Sequence, residues 1–183
     1  MIEVKISGRG GQGAVLASQV LATAFFEKGF YVQSFPSFGA ERRGAPVSAF
    51  LRVDSKEITL RYSVQSPDWM VLFDANLLNN PMVMAGTSGK TSLIVNTGLQ
   101  GLEVRECKGL YVVDATSIAE ELKLRTTSFS MVNTAMVGAF ARASGLLDLA
   151  SIEKVIADMA PVKRESNVAA ARKAFAMVKE VSR

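Results

Sequence analysis

A three-layer α/β/α domain, with a parallel-rich mixed sheet and an antiparallel hairpin insertion, is the fold this sequence predicts. Three observations lead there. Short apolar runs of strand length alternate with longer segments of helical periodicity, the pattern of parallel strands joined by crossover helices. A glycine-rich turn, Gly8-Arg9-Gly10-Gly11-Gln12-Gly13, separates the first of these runs from the first helix. Two further runs, Val47 to Val53 and Ile58 to Tyr62, flank Asp54-Ser55-Lys56, a connection that suits a hairpin and is too short for a crossover.

The elements follow in order. Ile2 to Ile6 forms the first strand. Val15, Leu16, Val20, Leu21, Ala24 and Phe25 give the apolar face of a helix from Gly13 to Lys28, which Gly29 stops in the C′ position. Phe30 to Phe35 reads as the second strand, and Pro36, Gly39, Gly44 and Pro46 break the chain into a loop before the hairpin. Trp69 to Phe73 is a buried strand that ends at Asp74, an N-cap for a helix from Ala75 to Asn80. Leu93 to Asn96 and Leu110 to Val113 are two more short strands. Asp114 or Thr116 caps a helix through Leu122, and Met131 to Ala143 is a helix that buries Met131, Ala135, Val137 and Phe140. Ser151 to Met159 starts with serine at its cap, and Asn167 to Val181 closes the chain as an amphipathic helix. No repeat or linker divides residues 1–183, so a single domain is expected.

Composition narrows the chemistry. A hydrophobic fraction of 49%, with ten Phe and eight Met among 183 residues, exceeds that of an average soluble domain and points to burial against partner subunits. No apolar run has the roughly 18 residues of a membrane span, and the N-terminal region lacks the basic flank and cleavage pattern of a signal peptide. A cytoplasmic protein without membrane contact is the expectation. The lone Cys107 cannot anchor an iron–sulfur cluster, which takes about four thiolates. With no histidine, the chain lacks the usual general base and every Ser-His or Cys-His nucleophile pair. The net charge of +4 is spread along the chain without a polybasic tract, so an anionic cofactor or an acidic partner protein fits as well as nucleic acid does, and better than a membrane surface.

The glycine turn is the leading candidate site. Gly8, Gly10, Gly11 and Gly13 allow close approach to the backbone, and the amides near Gln12, Gly13 and Ala14 stand at the positive end of a helix dipole, where a diphosphate is favoured. Arg9 adds a charge-assisted donor. The same glycines also suit close packing of the helix on the sheet. A dinucleotide fold would need an acidic residue at the end of the second strand, yet that segment reads Val32-Gln33-Ser34-Phe35. Gly86-Thr87-Ser88-Gly89-Lys90-Thr91 resembles a phosphate-binding loop but has Met84 where the pattern needs glycine, and a strand follows it, so it reads as a turn.

A second polar cluster, Glu41-Arg42-Arg43-Gly44, lies in the loop after the second strand and can grip a phosphate or carboxylate, or lock an intersubunit contact. It shares with Arg9 a position after an amino-terminal strand, so the two can face one crevice. Asn133 and Thr134, at the start of their helix, are placed to add polar contacts or to cap.

Taken together, GRGGQG after the first strand and FPSFGAERRGAPVSAFLRV some twenty residues later closely resemble the gamma subunit of the 2-oxoacid:ferredoxin oxidoreductases. The likeness runs through Asp68 to Asp74, Leu93 to Asn96, Tyr111 to Asp114 and Asn133 to Ala139. Glu41-Arg42-Arg43-Gly44-Ala45-Pro46 looks like the pyruvate and branched-chain types, where 2-oxoglutarate and indolepyruvate relatives tend to carry Glu-x-Arg-Gly-Gly. The resemblance implies oxidative decarboxylation of a 2-oxoacid such as pyruvate with coenzyme A, giving acetyl-CoA, carbon dioxide and reduced ferredoxin. It also implies alpha, beta and delta partner subunits. Thiamine diphosphate with magnesium would sit on alpha and beta, and 4Fe-4S clusters on beta and delta. For this chain it implies no reacting centre, a role in assembly and, as a hypothesis, docking of coenzyme A on Gly8 to Gly13 and the arginine loop. Two other readings remain open: a purely structural assembly subunit, and a free-standing nucleotide-binding protein.

Overall fold

The computed structural model describes residues 1–37, 45–99, 101–104, 106–127 and 129–181. The strands are β1 (Ile2–Arg9), β2 (Tyr31–Ser37), β3 (Pro46–Asp54), β4 (Trp69–Leu72), β5 (Ser92–Asn96), β6 (Gly109–Val113) and β7 (Lys179–Glu180). The helices are α1 (Ala14–Glu27), α2 (Pro81–Met84), α3 (Ala115–Glu121), α4 (Asn133–Ser144), α5 (Leu149–Met159) and α6 (Arg164–Met177). One mixed sheet holds all seven strands in the order β2-β3-β1-β4-β5-β6-β7. β1, β4, β5 and β6 run parallel, and β3 lies antiparallel between β2 and β1.

β4, β5 and β6 are apolar on both sides, as parallel strands covered on both faces must be. Val4, Ile6, Leu51, Val53, Val71, Ile94 and Val113 pack under α1, α3, α4, α5 and α6. Met70, Leu72, Leu93, Val95 and Leu110 face the other way, against Leu77 and Val83 of α2 and its preceding turn and against Cys107. The two outer layers are therefore unequal: long helices on one side, short turns and loops on the other. Towards β2 that second face becomes polar. Ser7 and Ser48 share a hydrogen bond at 2.8 Å, Lys5 Nζ donates to Val83 O at 2.5 Å, and Arg52 Nε donates to Glu3 Oε1 at 2.8 Å.

The structure corrects several expected elements. Val47 to Val53 does lie in an antiparallel hairpin, but its partner is β2, and residues 58–62 are not a strand. Their apolar side chains pack over the sheet instead of extending it, with Tyr62 over the Arg52 guanidinium at 5.1 Å. The helix expected from Ala75 is a 3-10 turn, Ala75–Asn79, capped as anticipated by Asp74, which accepts from the Asn76 amide at 2.9 Å. Asp148 displaces Ser151 as the cap of α5: its carboxylate accepts from the Ser151 amide at 2.8 Å. The last helix starts earlier, at Arg164, and stops at Met177, after which Lys179–Glu180 adds an antiparallel edge to β6.

Candidate functional site

Because β3 runs opposite to both of its neighbours, β1 and β2 point the same way as β4, β5 and β6. All five strands end on one edge of the sheet, the edge where open α/β folds collect their ligands. The glycine turn sits there. The Arg9 carbonyl accepts from the Gln12 amide at 3.0 Å, closing the turn, and the Gln12 side chain returns its Oε1 to the Arg9 amide at 2.7 Å. The Gly10 amide donates to Ala45 O at 3.1 Å, which ties the turn to the start of β3.

Gly11 (φ 105°) and Gly13 (φ 86°) both adopt backbone that side chains strain. Gly13 is the N-cap of α1 and supplies no side chain to the first-turn amides, and no acidic residue stands in that turn. Among the described residues, no side chain caps the positive end of this 14-residue helix. Both glycines also meet close neighbours. A Cβ on Gly13 would come within 2.9 Å of Asn133 Nδ2, and one on Gly11 within 3.1 Å of the Phe129 ring.

Arg9 forms an ion pair with Asp74 at the end of β4. Burial works to raise the Asp74 carboxyl, but hydrogen bonds from Arg9 and from the Asn76 amide outweigh it and hold its pKa below the usual carboxylate range. Asn96 closes the next part of the edge: its Nδ2 donates to Phe73 O and to Thr116 Oγ1, both at 2.9 Å, and its Oδ1 accepts from the Thr116 amide at 3.2 Å. Asn133 is 2% exposed, and its Oδ1 has no hydrogen-bond partner among the described residues.

Of the sequence-predicted site residues, Gly8, Arg9, Gly10, Gly11, Gln12, Gly13 and Asn133 come together on this edge. Glu41, Arg42, Arg43 and Gly44 lie outside the described residues, though Ala45 beside them is bonded to Gly10. Thr134 turns away, with its Oγ1 at 3.1 Å from Asn167 Oδ1 on α6. The residues 86–91 stay a turn, with Thr91 Oγ1 donating to Pro67 O at 2.8 Å and Lys90 exposed. Asp74 and Asn96 belong to the site edge as well. Sequence reasoning assigned Asp74 to capping alone and gave Asn96 no role; the usable signal was a polar residue at the carboxyl end of each apolar strand.

Fold and sequence together define an α/β domain with a glycine turn at the carboxyl edge of its sheet, in a chain with one cysteine and no histidine. The family model described as pyruvate ferredoxin/flavodoxin oxidoreductase matches residues 3–177, and this chain belongs to that family. It is 46% identical over 181 residues to the pyruvate/ketoisovalerate oxidoreductases common subunit gamma of Pyrococcus abyssi, covering 96% of each chain. The pyruvate synthase subunit PorC of Methanocaldococcus jannaschii is 44% identical over 176 residues, again with 96% of each covered. Among solved structures, the pyruvate oxidoreductase subunit PORC of Thermotoga maritima superposes with a TM-score of 0.82 at 37% identity, covering 99% of this chain and 98% of that one.

Proposed function

We propose that this chain is the gamma subunit of a pyruvate-type 2-oxoacid:ferredoxin oxidoreductase, and that its glycine turn docks the diphosphate of coenzyme A. The full-length likeness to gamma and PorC subunits supports the first part. The observation that carries the second is the uncapped N-terminus of α1 behind Gly13, flanked by the Arg9–Asp74 pair. Backbone amides there can donate to diphosphate oxygens without any change in protonation, and the Arg9 guanidinium lies beside them in its pair with Asp74. Arg42 and Arg43, in the loop whose end is tied to Gly10, supply the charge for the remaining phosphate or for a neighbouring subunit. Thiamine diphosphate, magnesium and the 4Fe-4S clusters reside on alpha, beta and delta partners, and ferredoxin takes the electrons. The complex works in the cytoplasm.

The test is the tagged native complex, assayed for coenzyme A-dependent reduction of a viologen dye with pyruvate and with 2-oxoisovalerate. Arg43→Ala in that complex should raise the KM for coenzyme A and leave the KM for the oxoacid little changed, a loss of about 1 to 3 kcal/mol for one charged contact. An unchanged coenzyme A dependence combined with subunit loss on gel filtration would assign the loop to assembly. A chain that purifies without partners or activity would overturn the subunit reading.

A further inference from the structure

We propose that the junction of α1, α4, α5 and α6 is a second ligand site, one that takes a small amphipathic organic anion. Its apolar group enters the protein, and its phosphate or carboxylate head lies between Lys123, Arg125 and Lys163. The inference is independent of coenzyme A docking.

The apolar part is a cavity of about 130 Å³ walled by Leu16, Val20, Met131, Ile156, Met159 and Pro161. Apolar space of about 150 Å³ takes a benzene-sized guest when enclosed, and this one is open on the side of Arg125 and Lys163. The cationic part is a wider cleft of about 790 Å³ lined by Lys123, Arg125, Ser130 and Lys163, in which Glu120 is one acid against three cations. Arg125 and Lys163 line both spaces, so the apolar cavity opens where the positive charge is concentrated. A neutral guest would forgo the charged contacts, and an inorganic anion would leave the cavity empty. One molecule with both features satisfies both.

Two independent observations mark this place as more than a gap in packing. Lys123 (φ 55°) and Lys163 (φ 50°) are, among the described residues, the two non-glycine residues in left-handed backbone. They also touch, the Lys163 ammonium donating to the Lys123 carbonyl. Lys123 takes this backbone as the residue that ends α3, where the Leu124 amide donates to Ala119 O at 2.7 Å, so the strain of the kind that gathers at ligand clamps is that of Lys163. Asn133, on the cavity wall, is buried with an amide oxygen that lacks a hydrogen-bond partner among the described residues. Asn133 against Gly13 and Phe129 against Gly11 also form the partition between this site and the glycine turn.

The full chain should be titrated calorimetrically with benzyl phosphate and phenylacetate, and with inorganic phosphate and benzyl alcohol as the separated halves. At least one of the two aromatic anions should bind tenfold or more tightly than either half, and the preferred one identifies the head group. Leu16→Phe, which fills the cavity, and Lys163→Gly, which keeps the left-handed backbone and removes the charge, should each weaken that binding at least fivefold. Thermal melts establish that both variants are folded. Aromatic anions that bind no better than their halves would overturn the proposal. So would a folded variant, of either kind, that binds like the parent chain.

Discussion

The Gly138→Ala substitution gives the sharpest stability prediction in the fold. Gly138 lies on α4 where that helix crosses α6, and a Cβ placed there would fall 2.1 Å from Ala171 O, 2.7 Å from its carbonyl carbon and 2.8 Å from its Cα. The obstacle is helix backbone, which has no rotamer to change. Ordinary contact begins near 3.4 Å, so the helices must part by about 1.3 Å locally. Ala135 and Ala139 on α4 and Ala170, Ala171 and Ala174 on α6 are fully buried along this seam, and parting it opens the contacts of all of them. A gap of that size forfeits a quarter to a half or more of each dispersion contact, and overpacked cores typically lose about 1 to 3 kcal/mol. Alanine recovers about 1 kcal/mol through its better helix propensity. With backbone as the obstacle the loss falls at the upper end, so the net expectation is a destabilisation of about 2 kcal/mol. Urea unfolding followed by circular dichroism measures it, with the m-value unchanged. A variant as stable as the parent chain would refute the argument that backbone contact sets the α4–α6 distance.

Two further substitutions test the polar face and the site edge. Arg52 is fully buried, donates to Glu3 Oε1 at 2.8 Å and lies between the rings of Phe35 and Tyr62 at 5.6 and 5.1 Å. Arg52→Met should cost about 3 kcal/mol because it strands the Glu3 carboxylate, and the double variant with Glu3→Leu should recover most of that loss in urea unfolding. The Asp74 carboxyl has a pKa below its ordinary 3.8 in the folded chain. Its stabilising contribution is therefore complete above the unfolded-state value and is lost as pH falls through the folded one. Asp74→Asn should accordingly lower the melting temperature at neutral pH, and the gap from the parent chain should close as pH falls below about 4. A gap that stays constant with pH would show that the Arg9–Asp74 pair does not stabilise the fold.

The central sheet was legible in the sequence because residues such as Val71, Ile94 and Leu93 must be apolar on both faces, and no polar alternation confuses their assignment. The first helix was legible for the same kind of reason, with Gly29 at φ 86° ending it as expected. The segment 58–62 was misread because Ile58, Leu60 and Tyr62 alternate like a strand while serving as a cover for Arg52 and Gln33, whose Nε2 donates to Ile58 O at 3.0 Å. Lys179–Glu180 was invisible as a strand, since two exposed charged residues carry no β signal and pair only because β6 offers a free edge. At the site, the glycine turn was readable from spacing alone. Asn133 was placed among the candidates for its position at a helix start, but its packing on Gly13 depends on a long-range contact that no local pattern encodes. The cleft of Lys123, Arg125 and Lys163 was hidden for the same reason, its cations coming from two separated stretches of chain.

Strand order also explains why a turn so like a dinucleotide fingerprint stands without the fingerprint's carboxylate. In a nucleotide-binding sheet of that kind, the strand after the first helix lies beside the first strand, about 4.8 Å away, and its terminal carboxylate reaches the ribose next to the glycine turn. Here β3 is inserted antiparallel between them, so β2 stands two strands from β1, roughly 10 Å away. The position beside the turn is held by Ala45 and Pro46, whose backbone is bonded to Gly10 and in register with Arg9. An acid at the end of β2 would be too far to share a ribose with the turn, and the sequence has none there. What the insertion brings beside the turn is Ala45, which follows Glu41-Arg42-Arg43-Gly44 directly in the sequence. A change in strand order of one position thus removes the place from which a ribose-binding carboxylate would reach the glycine turn.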